Sequence, residues 1–401
     1  MMDKTKRSVA VLLRPDIRKI DFECTAGTER VAISDLQLLN QLHFSTLYCS
    51  AAQLRNWPTS MRLCQLFYPN AFLDLLNKAS CSRNRFIRRT FAIIYFFATR
   101  VFEMLYVFQF IFVCRKFDYY YVFQVPLVGI LAQKKTLVMC QDLGPRTFYF
   151  STLFTKRFQQ ICFVFCSLAL KKLFIASKPS IPENQLSVLH NNVDTDIFIK
   201  KSVGFNKRHL RLGYVGTWST EKGINVLVDV VKRANQSDIA KHMSFIIAGD
   251  IDIWDRSDWE KEHLAGLQRK VLSLRKYRNV SIVGKIPYRN LSDFYQSIDY
   301  LLFPSVWEEP FGNVLIEAMS SGTPAIAFSI GATSEVIDNY INGIIVKTKT
   351  SRAFSQEIER QYLLGPAKRE RLSNNAREKV LAQFSQSARA KKLLSYFQRI
   401  S

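Results

Sequence analysis

Acidic residues are scarce in this chain. There are 33 Asp and Glu against 56 Lys and Arg, and the resulting formal charge of +23 implies an anionic partner such as nucleic acid, an acidic membrane or a phosphorylated substrate. None of the eight cysteines lies beyond residue 166 and none forms a C-x-x-C pair, which argues against a disulfide framework and predicts free thiols in a reducing compartment. The five histidines stand apart from the cysteines, so no zinc site is expected.

Long hydrophobic runs are also missing. The apolar stretch at the amino terminus is too short for the core of a signal peptide. Arg100 and Glu103 interrupt the aromatic region 90–114, and its longest uncharged run, Met104–Cys114, falls short of the roughly 18 residues that span a bilayer. We therefore expect no transmembrane helix. A hydrophobic fraction of 48% is typical of a folded protein, and 401 residues predict two domains.

Strand-like and helix-like segments alternate along the chain, which predicts an α/β fold with parallel sheets built from βαβ units. The strands predicted in the first half are Ser8–Leu13, Thr46–Cys49, Tyr119–Phe123, Thr136–Cys140 and Phe174–Ala176. Those predicted in the second half are Leu212–Val215, Ser244–Ala248, Val280–Val283, Tyr300–Phe303 and Ala325–Phe328. With the polar segment Ile199–His209 as linker, we expect Rossmann-like domains at 1–199 and 200–382, and a C-terminal helix at 383–401 that packs back on the first domain.

The stretch from Phe303 to Pro324 carries the clearest functional signal. A predicted strand ends near Phe303, and the following helix is expected to begin near Asn313, with that residue as its N-cap. The backbone N–H groups of Phe311–Val314 would then form an anion site at the helix N-terminus. Gly312 would let a ligand approach this backbone closely.

Two carboxylates, Glu309 and Glu317, flank this helix start. Their spacing places their backbones about 10 Å or more apart, which is too far for the acid and nucleophile of a retaining glycoside hydrolase. We therefore expect each carboxylate to bind a different part of one extended ligand.

Six motifs in the same order resemble the retaining glycosyltransferases of family 4. Glu309–Glu317 matches the E-x7-E element of that family, with its E-x-F-G core. The other matches are Ala26–Arg30 for the G-G-x-E-R turn, Asn192–Phe198 for N-G-V-D-x-x-x-F, Tyr214–Gly223 for V-G-R-x(4,5)-K-G, Gly331–Glu335 for G-x-x-x-E, and Asn342-Gly343 for N-G. The resemblance implies the GT-B fold, in which two doubly wound domains face a central cleft, with the acceptor on the N-terminal domain and a nucleotide-sugar donor on the C-terminal domain.

The resemblance also implies roles for individual residues. Lys222 would hold the donor diphosphate, Glu309 the donor sugar and Glu317 the ribose, and the resemblance makes Glu309, Lys222 and Asp142 the catalytic candidates. The remaining donor-binding candidates are Gly27, Gly216, Thr217, Lys285, Ile286, Phe311, Gly312, Asn313 and Val314. Since Lys222 and the helix dipole would neutralise the phosphates, no metal and no further cofactor is expected.

Two positions depart from the family pattern. Thr217 stands where the family commonly has Arg, which removes one diphosphate cation. Gln141-Asp142 stands where relatives often have His-Asp, so only Asp142 keeps its place at the end of a strand. Asp142 could equally cap the following loop.

Three other candidates are interpreted as structural. Asp194-Thr-Asp196 and Asp250-Ile-Asp252 resemble the D-x-D metal motif of the other glycosyltransferase fold, but we expect them to be loop residues. For His190, near the linker, a structural role is favoured over a ligand role.

Residues 78–116 contain eight basic groups against the single acid Glu103, and 17 of the 31 phenylalanines lie between Phe86 and Phe174. Cations that flank an aromatic stretch suit the interface of an anionic membrane. An internal helix with a solvated basic end is the alternative. Nucleic-acid binding is disfavoured because the Phe-rich runs lack interleaved cations.

The expected activity is hexosyltransferase-like: transfer of a sugar, with retention, from a nucleotide diphosphate sugar to a lipid-linked saccharide or to a polysaccharide or lipopolysaccharide intermediate. The expected location is peripheral, on the inner face of the cytoplasmic membrane. Two alternatives stay open, namely a non-catalytic scaffold on a degenerate GT-B fold and a nucleotide-sugar epimerase.

Overall fold

The computed structural model describes residues 8–13, 19–21, 28–42, 44–49, 53–55, 62–80, 85–142, 160–177, 181–200, 209–251 and 258–400. The chain divides into two compact units. The first comprises Met1–Cys166, Leu170–Leu189 and Ala390–Ser401, and the second comprises Ser167–Ala169 and His190–Arg389. The main division falls between Leu189 and His190, upstream of the boundary expected at residue 199.

The first unit is built on a seven-stranded parallel sheet. The strands of this sheet are β1 (Ser8–Leu12), β3 (Phe44–Cys49), β5 (Arg62–Gln65), β6 (Tyr119–Phe123), β7 (Thr136–Cys140), β8 (Ile161–Phe165) and β9 (Leu186–Val188). Two further strands, β2 (Lys19–Asp21) and β4 (Gln53–Arg55), form a small parallel pair of their own. The order in the large sheet is β5-β3-β1-β6-β7-β8-β9, so the direction of winding reverses between β1 and β6. Every residue of β6, β7 and β8 is buried, as expected for apolar strands covered on both faces.

Helices pack around both sheets. Those of the described residues are α1 (Thr28–Leu42), α2 (Asn70–Ser80), α3 (Arg85–Cys114), α4 (Leu127–Ala132), α5 (Leu168–Ser177), α6 (Ile224–Ala234), α7 (Asp258–Leu272), α8 (Leu291–Ser297), α9 (Asn313–Ser320), α10 (Thr333–Val336), α11 (Ser351–Leu363), α12 (Gly365–Gln383) and α13 (Gln386–Ile400). From Ala390 onwards α13 belongs to the first unit, where the Phe397 ring contacts Tyr119 and Tyr121.

Helix α3 departs from the sequence-based expectation. It is one continuous helix of 30 residues, and Arg100 and Glu103 form an ion pair of 2.9 Å on its surface instead of interrupting it. Within the described residues, its segment Arg89–Cys114 is long and apolar enough to cross a membrane. Length and composition alone therefore allow a membrane-length helix where the sequence showed only a shorter uncharged run, because two charges that neutralise each other do not break a helical apolar run.

The second unit contains a six-stranded parallel sheet. Its strands are β10 (Leu210–Val215), β11 (Met243–Ala248), β12 (Val280–Gly284), β13 (Tyr300–Phe303), β14 (Ala325–Phe328) and β15 (Ile344–Val346). They lie in the order β12-β11-β10-β13-β14-β15, so the winding reverses between β10 and β13. The predicted α/β fold with two parallel sheets is confirmed.

One predicted strand was wrong. Phe174–Ala176 lies in α5, and the Phe174 ring packs against Phe163 and Phe165 of β8. A short apolar run fits a buried strand and a buried helix equally well, and periodicity alone does not separate them.

Candidate functional site

The functional candidates of the second unit lie beyond the carboxyl ends of its strands. Gly216, Thr217 and Lys222 follow β10, and Lys285 and Ile286 follow β12. The loop and helix after β13 carry the rest, which are Glu309, Phe311, Gly312, Asn313, Val314 and Glu317. Because β10 and β13 are the neighbours between which the winding reverses, their loops flank the point where open α/β sheets bind ligands.

Lys222 and Glu309 meet in an ion pair at this point. The Lys222 Nζ lies 2.9 Å from Glu309 Oε1 and 2.7 Å from Oε2. The carboxylate side chain is 12% exposed and the lysine side chain 38%, so the ammonium keeps access to solvent while the carboxylate is largely enclosed. The Lys222 ammonium thus lies near the switch point, paired with the Glu309 carboxylate. A polyanionic ligand can replace this carboxylate as the partner of the lysine.

The two loops are joined directly. The backbone carbonyl of Glu221 accepts hydrogen bonds from the N–H groups of Val306 and Trp307, at 3.0 and 3.2 Å, and from Ser305 Oγ at 3.1 Å. Next to it, Gly223 adopts a left-handed φ of +73°, and a Cβ added there would lie 1.8 Å from the carbonyl oxygen of Pro304. Glycine at 223 therefore permits the contact that fixes Lys222 beside the loop of Glu309.

The backbone of Glu309 is held from its other side. Its carbonyl oxygen accepts a hydrogen bond from the N–H of Ala332 at 3.1 Å. Gly331 has a left-handed φ of +49°, and a Cβ added there would lie 2.2 Å from the same carbonyl oxygen, so only glycine fits. The Gly331 N–H donates to Glu308 at 3.0 Å. The Gly331–Glu335 motif thus positions the first glutamate of the E-x7-E element.

The N-cap of the helix after Glu309 lies one residue earlier than the sequence predicted. Gly312, with φ of +88°, is the N-cap of α9 and provides no side-chain cap, while Asn313 is the first helical residue. The N-cap role predicted for Asn313 was wrong because its side-chain oxygen is engaged elsewhere, accepting Asn191 Nδ2 at 3.0 Å. Phe311 and Gly312 are buried, whereas Asn313 and Val314 are partly exposed at the helix start.

Glu317 is oriented by a buried phenol. The hydroxyl of Tyr295 donates to Glu317 Oε2 at 2.9 Å, and the Tyr295 side chain is fully buried. Burial, with the charge of Glu317 added to it, raises the pKa of Tyr295 well above its usual value, so the phenol remains a proton donor. Burial and the charge of Glu309 likewise raise the pKa of Tyr214, which lies under the loop carrying Thr217.

The remaining sequence candidates differ in exposure and in the unit to which they belong. Thr217 and Lys285 are exposed, and Ile286 is partly exposed. Asp142 follows β7 in the first unit, where it is half-buried, and Gly27 lies outside the described residues.

The first aspartates of the two D-x-D segments, Asp194 and Asp250, both accept hydrogen bonds from neighbouring groups of the protein. Asp194 Oδ1 accepts the backbone N–H groups of Asp196 and Ile197 at 3.0 and 3.2 Å, which makes it a turn residue. Asp250 Oδ1 accepts Gln268 Nε2 at 3.1 Å, and Asp252 lies outside the described residues. Within the part of the chain that the structure describes, no group of His, Cys, Asp and Glu is placed to hold a metal ion.

His190 is placed closer to the site than the sequence suggested. Its ring stacks on Phe311 with centroids 5.7 Å apart and an interplanar angle of 30°. Its Nε2 donates to Glu335 Oε2 at 2.9 Å, and the carboxylate also accepts the N–H groups of Leu168 and Ala169. His190 therefore ties the Gly331–Glu335 segment to the Glu309–Gly312 loop, an arrangement that depends on contacts between segments distant in sequence.

Glu335 gives this arrangement a pH dependence. Burial by itself would raise the pKa of the carboxyl, but the hydrogen bonds from His190, Leu168 and Ala169 outweigh it, so the pKa falls below its ordinary value of 4.5. A carboxyl with a lowered folded-state pKa stabilises the fold above its unfolded pKa, and this contribution is lost as the pH falls through the folded value.

We expect Glu335→Gln to lower the unfolding free energy by about 2 kcal/mol near pH 7, because a charge-assisted hydrogen-bond set is lost. The deficit should shrink as the pH falls below 4.5 and the wild-type carboxyl is protonated. Urea unfolding at a series of pH values measures this difference, with the exposed Glu370→Gln as the matched control. A deficit that stays constant across the acid range would contradict the assignment.

Comparisons with known proteins show similarity to glycosyltransferases. A family model described as glycosyl transferases group 1 matches residues 196–379. An uncharacterized glycosyltransferase of Methanocaldococcus jannaschii is 28% identical over 227 residues, which cover 54% of this chain and 54% of the relative. The chain thus spans about half the length of the curated relatives it matches.

Two solved structures share this fold over most of the chain. An Anabaena protein, HepE, in complex with UDP and glucose has a TM-score of 0.69 at 14% identity, with 97% of this chain and 99% of that chain covered. WaaG, a glycosyltransferase involved in lipopolysaccharide biosynthesis, has a TM-score of 0.63 at 14% identity, with 96% and 98% covered. The chain thus has a GT-B fold and contains a glycosyltransferase group 1 domain, whose matched residues 196–379 include the candidate residues Lys222, Glu309 and Glu317.

Proposed function

We propose that this chain is a retaining, family 4-type glycosyltransferase that takes a sugar from a nucleoside diphosphate donor. The observation that carries the proposal is the ion pair of Lys222 and Glu309 at the winding reversal, beside the N-terminus of α9. A diphosphate at this point would meet one lysine ammonium and the free N–H groups of an eight-residue helix.

In the proposed donor complex, Lys222 turns from Glu309 to the diphosphate, and the freed carboxylate accepts hydrogen bonds from hydroxyls of the donor sugar. Glu317, fixed by Tyr295, accepts those of the ribose, and the backbone at Lys285 and Ile286 meets the base. The lysine exchanges one anion for another, and the sugar hydroxyls replace the ammonium at the largely enclosed Glu309 carboxylate.

In the proposed reaction, negative charge develops on the departing diphosphate. The bond between the anomeric carbon and the diphosphate oxygen breaks, and Lys222 and the α9 amides stabilise the departing diphosphate. The acceptor oxygen bonds to the same face of that carbon, and the proton of the acceptor hydroxyl passes to the departing diphosphate oxygen. A front-face reaction is proposed because Glu309, the carboxylate nearest the switch point, is assigned to the sugar hydroxyls and to Lys222.

The proposed acceptor is a lipid-linked saccharide, or a polysaccharide or lipopolysaccharide intermediate, reached by the protein from the inner face of the cytoplasmic membrane. The cationic, aromatic region of the first unit supports a membrane-bound acceptor, and the match to a protein of lipopolysaccharide biosynthesis is compatible with it. Thr217, which lacks the charge of the family's arginine, instead favours a non-catalytic scaffold as the second candidate.

Donor binding tests the proposal. A thermal-shift panel of UDP-, GDP-, ADP- and CMP-sugars should show one nucleotide raising the melting temperature, since a ligand at 100 times its Kd stabilises by about 2.7 kcal/mol. Release of the nucleoside diphosphate only when a saccharide acceptor is present indicates transfer. Stabilisation without turnover would favour the scaffold, and an altered donor sugar formed without acceptor would identify an epimerase.

A further inference from the structure

Helix α3 exposes a continuous apolar stripe. We define the stripe by Phe86, Ile93, Phe97, Val101, Leu105, Phe108 and Phe112, each between 48% and 78% exposed. Their spacings of seven, four, four, four, three and four residues place them along one side of the helix. The stripe extends over about 39 Å at the rise of an α-helix, and exposure of apolar side chains on this scale marks an interaction surface.

The opposite side of the same helix is fixed to the sheet of the first unit. Tyr106, Val107, Phe110 and Cys114 are fully or almost fully buried, and the Phe110 ring packs edge-on against Tyr120 of β6 at 5.1 Å. The Tyr106 hydroxyl donates to the carbonyl of Leu13 at 3.1 Å. A helix held in this way cannot cross a bilayer without leaving its sheet, so the stripe meets its partner side-on.

Cations stand at both ends of the stripe. Arg89 lies at the N-terminal end, four residues before Ile93, and Arg115 and Lys116 follow Phe112 by three and four residues. All three are exposed, and the Arg115 guanidinium lies 5.4 Å from the centre of the Phe112 ring. Positive charge flanking an aromatic surface complements a layer with an apolar interior and anionic headgroups.

The neighbouring helix widens the apolar surface. Phe72 and Leu75 of α2 are 49% and 65% exposed, and the Phe72 ring contacts Phe102 of α3 at 6.2 Å. The central charges of α3 do not oppose burial, because Arg100 and Glu103 neutralise each other at 2.9 Å and the Arg100 guanidinium also lies over the Phe96 ring.

We propose that α3 is an in-plane membrane anchor, with its stripe inserted into the interfacial layer of an anionic bilayer and with Arg89, Arg115 and Lys116 at lipid phosphates. The inference deepens the proposed function. It rests on that function only for the membrane-bound acceptor of the sugar. A second copy of the chain is a less favourable partner for the stripe, because the flanking cations of the two copies would repel each other.

Vesicle flotation of the full chain tests the anchor. The protein should float with vesicles of phosphatidylglycerol and phosphatidylcholine and bind pure phosphatidylcholine much less. Phe97→Glu with Phe108→Glu should reduce binding at least tenfold, whereas the matched pair Ile341→Glu and Leu363→Glu, at exposed apolar residues of the second unit, should leave it unchanged. Replacing Arg89, Arg115 and Lys116 by Gln should weaken binding to anionic vesicles roughly fivefold per cation.

Further measurements separate the alternatives. Sodium carbonate should extract the bound protein, and resistance to extraction would indicate a spanning helix and overturn the in-plane anchor. Equal binding to neutral vesicles would overturn the role of the cations. A dimer in sedimentation equilibrium that Phe97→Glu with Phe108→Glu dissociates, together with no flotation, would assign the stripe to a second copy. A nucleotide-sugar thermal shift in protein that does not float would overturn the anchor and leave the proposed sugar transfer standing.

Discussion

Lys222→Met lowers the rate of sugar transfer by about 10²- to 10³-fold on the proposed function, the effect typical of removing one preorganised group that stabilises developing charge. The side chain of Met retains the length of Lys but carries no charge for the departing diphosphate. The loss should appear in kcat more than in KM, since the charge on the bridging oxygen grows as the anomeric bond breaks. Steady-state kinetics with the donor identified by thermal shift measures it.

Matched variants separate chemistry from folding. Lys347→Met removes a lysine that is exposed on the same unit and should leave both constants unchanged. Lys222→Arg keeps the charge and should restore part of the rate. Glu317→Ala should instead raise KM, because the carboxylate is assigned to the ribose and not to the reacting bond. Normal turnover by both Lys222→Met and Glu317→Ala would exclude this site as the donor site.

Loss of Lys222 also leaves Glu309 without its partner. Because the carboxylate side chain is only 12% exposed, an unpaired charge there is costly, and part of the effect of Lys222→Met could reach the loop itself. The double variant Lys222→Met with Glu309→Gln removes that cost. If the double variant regains the free energy of unfolding that Lys222→Met loses, the lost stability is due to the unpaired carboxylate. If Lys222→Met alone keeps the wild-type free energy of unfolding, the loop is intact and the lost rate belongs to the ammonium.

The sheet positions could be predicted from sequence because their strands are continuous apolar runs. Tyr300–Phe303 and Ala325–Phe328 were predicted with the bounds that the structure gives to β13 and β14. Strands of this kind are buried on both faces of a parallel sheet, so composition alone marks them. Once β10 and β13 are placed, the loops holding Lys222 and Glu309 follow from the rule that ligands lie beyond the carboxyl ends of the strands.

Contacts between residues far apart in the sequence could not be predicted in the same way. The stack of His190 on Phe311 joins residues 121 positions apart, and the cap of α9 depends on Gly312 having φ of +88° while Asn313 bonds Asn191. The full length of helix α3 was not predicted, for a different reason. Arg100 and Glu103 count against an apolar run in sequence, and only their distance of 2.9 Å shows that they offset each other.

Gly223→Ala is expected to destabilise the second unit by about 3 kcal/mol or more, from two separable causes. A left-handed φ costs an L-residue roughly 1–2 kcal/mol. In addition, the new Cβ would lie 1.8 Å from the carbonyl oxygen of Pro304, and that atom belongs to backbone that cannot rotate away. Relief requires the loops after β10 and β13 to separate, which weakens the hydrogen bonds from Ser305, Val306 and Trp307 to Glu221, each worth about 1 kcal/mol.

Gly365→Ala is the matched control, because it carries the first cause without the second. Gly365 has φ of +76°, against +73° at Gly223, but nothing lies within 4 Å of its added Cβ. Both variants carry the same backbone strain, so the difference between their unfolding free energies, measured by urea denaturation, reports the close approach of the two loops. Gly223→Ala should also weaken donor binding, since Lys222 moves with its loop, whereas Gly365→Ala should not. Equal destabilisation by the two variants would show that the loops separate without cost, and the position of Lys222 beside Glu309 would then not depend on glycine at 223.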